Sequence, residues 1–389
     1  MNSNRYNKLQ LIDDISYYEE FLKGCISNSN ILIIGGAGSI GSSYIRNVLE
    51  YKPAALTVVD TNENGLTELT RDLRGSNLLD YNPVYTSYPM DLLSDTFNKV
   101  FHSRKWDIIA NFSAHKHVRS EKDSISVEAL IKNNVFGIIK LLKLCDQYPP
   151  KYFFSVSTDK AANPVNIMGA SKSLMEKLIL SMKNRFRVST ARFANVAFSN
   201  GSLLDGFNYR YMKSQALSCP SNIKRYFVTE QQSGQICLLA TFLGNSGSIF
   251  FPKLNFNDDQ IYFKDLALEF LGERGLKPIY VGSEAEAKAY SISKNPGFYP
   301  IFLFESDTSG EKEYEEFYSQ NDVVNLDNFD SLGVISSADT CLDFDEVIEN
   351  FEAAFTYGED AKQYVIYTLK NYVPEFNHIE RGLNLDQKM

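Results

Sequence analysis

The sequence predicts an α/β protein built on a doubly wound parallel sheet, and three observations carry that expectation. Short, fully apolar runs alternate with segments of helical periodicity over the first 200 residues. The first run leads straight into a glycine-rich turn, and the second ends on an acid. Strands buried on both faces read as unbroken apolar runs, and strand-helix alternation is the pattern of parallel sheets.

In chain order, Leu11, Ile15, Tyr18 and Leu22 recur at helical spacing and predict an amphipathic helix in an N-terminal extension, residues 1-29. That helix reads either as a packing element or as a surface for a partner. Ile31-Leu-Ile-Ile34 is the first strand, Gly35-Gly-Ala-Gly-Ser-Ile-Gly41 the turn, and Ser42–Leu49 the helix after it. Glycines at 35, 38 and 41 remove side chains where backbone N–H groups and a helix N-terminus must approach a pyrophosphate, with Ser39 and Ile40 between them. Leu56–Asp60 is the second strand, and its acid lies 19 residues beyond Gly41. A carboxylate there accepts the adenosine-ribose hydroxyls and repels a 2′-phosphate, so the pattern predicts NAD rather than NADP, in a Rossmann-like domain. The bland alternative for Asp60 is a turn or cap.

Further strands are expected at Asn82–Thr86, followed by Asp91 and Leu92, and at Trp106–Asn111, followed by Phe112-Ser-Ala-His-Lys-His-Val118. A helix over about 124-145 carries Asn134. The fifth strand, Tyr152–Val156, delivers Thr158, Asp159 and Lys160 to its carboxyl end, where open α/β sheets place their ligands. Ile167–Leu180 repeats at three and four, so Met168 and Lys172 share one helix face. Taken alone, Asp159 and Lys160 read as turn residues; after a nucleotide-type turn they become candidates for moving protons.

Val188–Arg192 is a sixth strand, leading to a polar loop with Asn195, Val196 and Ser202. Beyond it periodicity degrades. Arg225–Thr229 reads as a strand, Gln260–Leu271 as a strand turning into a helix, Gly310–Glu316 as a solvated, charged helix start, and two acidic helices near 344-357 and 360-372 close the fold before a frayed tail after Glu380. The expected organisation is a cofactor domain at 30-200 and a smaller mixed α/β substrate-binding part at 201-389, with the chain crossing between them.

Composition narrows the functions. With 389 residues, 44% hydrophobic, 22% charged and a net charge of −9, the chain suits a globular protein and offers no basic surface for nucleic acid or anionic membrane. Five cysteines lack paired or metal-like spacing and there are only four histidines, so neither zinc nor a disulfide framework is expected. The polar N-terminus and short apolar runs predict a soluble, cytoplasmic protein without a membrane span.

Together, Gly35–Gly41, Asp60, Ser113–Val118, Asn134, Ser157–Lys160 and Lys172 resemble the extended short-chain dehydrogenase/reductase superfamily. Within it, His115–Val118, Ser157–Ala161, Asn163-Pro164, Met168–Lys172, Arg192–Val196, Arg225–Thr229 and Gly310–Lys312 with Glu315-Glu316 are similar to the nucleotide-sugar 4,6-dehydratases that act on UDP-N-acetylglucosamine in polysaccharide biosynthesis. Most of the superfamily has tyrosine where this chain has Met168. Methionine cannot ionise, and the resemblance is to a methionine branch that retains the C5 configuration.

The resemblance implies bound NAD, transient oxidation at C4, loss of water across C5 and C6, and reduction at C6. It implies Lys160 as the base at C5, with its pKa lowered in an apolar pocket, and Asp159 as the acid at C6, which in the absence of tyrosine also relays the C4 proton with Thr158 or water. Lys172 is expected at the nicotinamide ribose and Met168 as a shape-filling residue. Cofactor contacts are expected from Gly35, Gly38, Ser39, Ile40, Gly41, Asp60, Asn62, Asp91, Leu92, Ala114, Lys116, Asn134 and Lys172. Substrate contacts are expected from His117, Asn195, Val196, Ser202, Arg225 and Glu315. The partners implied are a nucleotide-sugar and further copies of the chain, paired through the helices at 124-145 and 168-183. The competing readings are a nucleotide-sugar epimerase and a non-catalytic NAD-binding regulator.

Overall fold

A computed structural model describes residues 9, 11-117, 121-255, 259-292, 295-306, 314-336 and 340-379. Val118, Gly310–Lys312 and the tail after Glu380 lie outside them. Six parallel strands follow the chain: β1 (Asn30–Ile34), β2 (Ala55–Asp60), β3 (Val84–Pro89), β4 (Ile108–Asn111), β5 (Tyr152–Val156) and β6 (Val188–Ala191). Strands Ser248–Pro252, Leu332–Ser336 and Val323–Asn325 extend the sheet beyond β6. The first of these pairs parallel with β6, Leu332–Ser336 pairs antiparallel with the first, and Val323–Asn325 pairs antiparallel with Leu332–Ser336. The order at the other end is β6-β5-β4-β1-β2-β3, so the winding direction reverses between β1 and β4. That reversal opens a crevice at the carboxyl ends of these strands.

The unbroken apolar runs are explained by burial on both faces. Ile31 and Ile33 join one core with Tyr44, Phe154 and Leu238, whereas Leu32 and Ile34 join the other with Ile109, Leu141 and Leu174. On the first face the helix Ser39–Leu49, which starts at the glycine turn, crosses the helix Glu230–Phe242 at very short range. A Cβ on Gly234 would lie 2.3 Å from Ser43 Oγ and 2.6 Å from its carbonyl carbon.

Several boundaries differ from expectation. β3 begins at Val84, because Asn82 adopts a positive φ of 55° and ends the preceding turn. The N-terminal helix is two, Leu11–Tyr17 and Glu19–Ile26, broken at Tyr18. It is a packing element: Leu11, Leu22 and Ile26 are buried, and the Asp14 carboxylate accepts the N–H groups of Asp330 and Ser331 at 3.1 and 2.8 Å. The helix at 124-145 contains a π-helical turn, Lys132–Phe136. The stretch expected as one strand at 225-229 is split, because Lys224–Arg225 pairs with Ile261–Tyr262 and Phe227–Val228 with Asn195–Val196. Residues 314-316 form no helix, and Glu315 is buried rather than on a solvated face.

After residue 200, a parallel three-stranded sheet, ordered Lys277–Val281, Phe298–Phe304, Leu217–Pro220, packs with helices Leu203–Met212 and Phe263–Gly272 around Phe207, Phe270 and Ile301. The C-terminal helices Phe344–Phe355 and Ala361–Tyr372 join the core on the Leu32 and Ile34 face of the main sheet. Their Val347, Phe351, Val365 and Leu369 are fully buried in the core that holds Leu130, Leu174 and Leu178. Part of the helices expected to pair between copies, around Leu130, Leu174 and Leu178, thus packs on these two helices of the same chain. No helix among the described residues is long and apolar enough to cross a membrane.

Gly234→Ala is expected to destabilise the protein by about 1–3 kcal/mol through overpacking against the Ser43 backbone. Urea unfolding measures it, and a midpoint unchanged from wild type would refute the close crossing.

Candidate active site

The glycine turn leaves β1 at the reversal of winding. Gly35 takes φ +74°, and a Cβ there would sit 2.5 Å from Ser113 N, so only glycine fits. Gly41 lets the helix settle on the turn, since its Cβ would lie 2.5 Å from Gly35 O. Gly38 differs: a Cβ would meet only Gly35 O at 3.6 Å, so the protein itself does not demand glycine there. Gly38 is also the N-cap of Ser39–Leu49 and offers no side-chain cap, leaving the first amides to an anion.

At the end of β2, Asp60 accepts the N–H of Ala37 at 2.9 Å and of Asn62 at 2.9 Å. It buttresses the turn, and a carboxylate's further lone pairs can still accept ribose hydroxyls. Asn62 caps the next helix through Gly65 N. These features together fit a dinucleotide.

Asp91 follows β3 and accepts the Leu93 N–H at 2.7 Å, while Leu92 is buried beside Gly137. Beyond β4, Asn134 fixes the loop containing Ala114 by bonding both the N–H (2.8 Å) and the carbonyl (3.1 Å) of His115. It donates as well to Ser171 Oγ at 3.0 Å, tying the π turn to the helix Ile167–Ser181. Such turns recur at functional sites. Lys116 Nζ donates to Asn200 O, the Asn200 N–H donates to Ser39 Oγ, and a Cβ on Gly201 would lie 3.2 Å from the His117 imidazole. The 198-202 loop therefore lies against the glycine turn. Ser202 itself caps the helix Leu203–Met212.

A short 3-10 turn, Asp159–Ala161, follows β5 and holds the charged centre. Thr158 Oγ1 donates to Asp159 Oδ1 at 2.7 Å. Lys160 Nζ lies 3.2 Å from Asp159 Oδ1 and 2.9 Å from Glu315 Oε1. Arg225 Nε lies 2.9 Å from the same Glu315 oxygen, and Asn195 Nδ2 donates to both Glu315 oxygens at 3.2 and 3.0 Å. Thr158, Asp159, Lys160, Asn195, Arg225 and Glu315, predicted separately, form one buried cluster. The neighbouring motif residues Asn163 and Glu316 also meet, at 2.9 Å.

The electrostatics correct one expectation. Burial alone would lower the Lys160 pKa, but Asp159 and Glu315 outweigh it and hold the ammonium above the ordinary lysine value. The depressed lysine is Lys172. It is 3% exposed, donates to Val156 O at 2.8 Å, and burial lowers it to about 8 against a weaker pull from Glu176. Asp159 is held below its usual range, because Lys160, Glu315, Thr158 and Arg225 together overcome burial. Burial and the Asp159 charge raise Glu315 to about 7, against Lys160 and Arg225.

Met168 is 2% exposed on the first turn of Ile167–Ser181. Glu121, which sequence reasoning did not single out, accepts the N–H groups of Ile167 and Met168 at 3.0 and 2.8 Å, and Asn166 caps Gly169. Forty-six residues separate Glu121 from Ile167, so no local spacing signals the contact. Arg192, quoted only within a motif, forms a buried pair with Glu176 at 2.8 Å. Val196 is buried, pairing with Val228.

The profile of a polysaccharide biosynthesis protein family matches residues 31-336. The chain belongs to this family. It is 29% identical to an uncharacterised membrane protein of Methanocaldococcus jannaschii, over 79% of this chain and 86% of that one. It is 28% identical to the inverting UDP-N-acetylglucosamine 4,6-dehydratase of Campylobacter jejuni strain 81-176, over 59% of this chain and 68% of that one. UDP-glucose 4-epimerases also stand among the relatives of this family member. It spans about half the length, 46%, of the polysaccharide biosynthesis proteins of Staphylococcus aureus and Bacillus subtilis. Pen from Bacillus thuringiensis shares the fold, with a TM-score of 0.66 at 24% identity, over 81% of this chain and 91% of that one. Named relatives of the family member thus include nucleotide-sugar dehydratases and epimerases.

A buried lysine with a lowered pKa opposes folding until it deprotonates. Wild-type stability is therefore expected to rise with pH from about 8 toward 10.5, while unfolded chains still bind the Lys172 proton. Lys172→Met should be more stable than wild type at pH 7, by up to about 3 kcal/mol, with the gap closing at high pH. Urea midpoints across this range measure it.

Proposed function

We propose that the protein is an NAD-dependent 4,6-dehydratase of a nucleotide-activated N-acetylhexosamine, with UDP-N-acetylglucosamine as the favoured substrate and the 4-keto-6-deoxy sugar as product. The observation that carries this reading is the Asp159–Lys160 pair at the carboxyl end of β5, adjacent to Met168 in the place of an ionisable tyrosine. An epimerase needs only to exchange hydrogen at one carbon. A buried carboxylate and amine side by side suit an elimination, where one proton leaves carbon and another must reach the departing oxygen. A regulator would have no use for this pair.

NAD, when bound, supplies the two-electron acceptor and donor for C4 and C6. The chain supplies the rest. Glycines 35, 38 and 41 and the amides of Ser39 and Ile40 cradle the pyrophosphate, and Asp60 takes the adenosine ribose, with Asn62, Asp91 and Leu92 near the adenine. Ala114, Lys116 and Asn134 bound the nicotinamide side, and Lys172 holds its ribose. His117, Asn195, Val196, Ser202 and Arg225 hold the nucleotide. Asp159, with Thr158 or water, relays the C4 proton, and the ketone at C4 acidifies C5, where Lys160 removes the hydrogen. Asp159 serves the leaving C6 oxygen, and Met168 excludes water.

Incubating the purified protein with UDP-N-acetylglucosamine, without added cofactor, and weighing the product separates the readings. Loss of one water is expected; an unchanged mass with inverted C4 would establish an epimerase, and no turnover a binding protein. Lys160→Met should reduce dehydration by at least about 100-fold while NAD stays bound. Retained turnover in that variant would remove Lys160 from C5.

A further inference from the structure

Lys160 is the proposed base at C5, yet two carboxylates hold it as an ammonium. An ammonium has no electron pair with which to take a proton. The geometry points to the group that frees it. We propose that Glu315 accepts the Lys160 proton along their 2.9 Å contact and later returns it, through Asp159, to the oxygen leaving C6.

Three observations support this inference, which rests on the dehydratase reading. Glu315 and Lys160 share a direct hydrogen bond, so the transfer needs no water and no rearrangement. The cluster contains two carboxylates and two cations, Asp159, Glu315, Lys160 and Arg225, of which Lys160 alone is partly exposed, and moving one proton within it leaves its net charge unchanged. In a buried site, where an added charge is expensive, such an exchange is the cheapest way to make a free amine. Finally, Asp159 Oδ2 is buried without a hydrogen-bond donor, and Asp159 and Glu315 converge on the same Lys160 Nζ at 3.2 and 2.9 Å. A proton on Glu315 gives that oxygen its donor and a path outward.

The step balances. An N–H bond of Lys160 breaks and an O–H bond forms on Glu315, leaving the electron pair on Nζ. Nζ takes the C5 hydrogen as a proton, the C–H pair becomes the C5–C6 double bond, and the C6–O bond breaks. The departing oxygen takes the Glu315 proton by way of Asp159 and leaves as water. Lys160 ends as ammonium and Glu315 as carboxylate, the ion pair that the structure contains. Glu315 thus acts through Lys160 and Asp159 rather than on the sugar.

Glu315 is faced by Asp159 and Lys160 from the turn after β5, and by Arg225 and Tyr226 from the 224-228 segment. The working pair holds one proton fewer than would protonate both groups. Acid fills both, so kcat for water loss should fall as pH drops through about 7, the value at which burial and Asp159 place Glu315.

The test measures kcat against pH with UDP-N-acetylglucosamine for wild type and Glu315→Gln. The variant keeps one acceptor oxygen for the Arg225 and Asn195 donors but cannot take a proton. Expected are an acid limb in wild type, its loss in E315Q, and a fall in kcat of at least about 100-fold with bound NAD retained. A variant within about threefold of wild type, or with the acid limb intact, overturns the proposal. A wild-type profile flat between about pH 6 and 8 overturns it too, whether or not E315Q folds. If wild type releases no water at all, the dehydratase reading fails and this inference falls with it.

Discussion

The site depends on a balance of four charges, three of them buried and the fourth, Lys160, partly exposed. Asp159 and Glu315 face Lys160 and Arg225 at hydrogen-bonding distance, and Asp159, Glu315 and Arg225 are each no more than 5% exposed. Removing ions from water costs several kcal/mol each, which is recovered only when every charge is matched and bonded. The balance therefore constrains elements far apart in sequence: the turn after β5, the strand at Lys224–Arg225, the Asn195 strand and the 314-317 segment must all meet. A lone carboxylate or amine in this place would change its protonation state rather than stay charged. Matching keeps both kinds of group within reach of one another, and so keeps protons mobile between them.

The sheet holds the cluster in register with the nucleotide turn. β1 and β5 flank β4, so their carboxyl ends rise on the same edge of the molecule. The rigid parts lie below: the apolar strands, the capped start of Ile167–Ser181, and the crossing of two helices at Gly234. Asn134 transmits this rigidity upward, since it bonds the His115 backbone and Ser171 at once.

Much of this was legible in the sequence because the signals are local. Strands buried on both faces announce themselves as apolar runs, and the Gly35–Gly41 turn and Asp60 carry their geometry in their spacing. Met168 and Lys172 were placed together by helical periodicity alone. What escaped was set by contacts across long stretches of chain. Glu315 read as part of a charged surface helix, but Lys160 and Arg225, 155 and 90 residues earlier, draw it inside. The same contacts reversed the expected behaviour of Lys160, because spacing shows that a lysine follows a strand but not how many carboxylates surround it. Glu121 and Asp14 bond backbone groups of remote segments and leave no periodic trace. The split at Tyr226 follows from two partner strands that the segment itself does not encode.

The C-terminal hairpin carries a consequence for the behaviour of the molecule on dilution. A helical face sealed by a neighbouring subunit opens when the subunits part, and its integrity then follows the law of mass action. Here Val347, Phe351, Val365 and Leu369 arrive on the same polypeptide, at an effective concentration fixed by chain connectivity. The flank of the helix at Leu174 and Leu178 is therefore closed by its own chain.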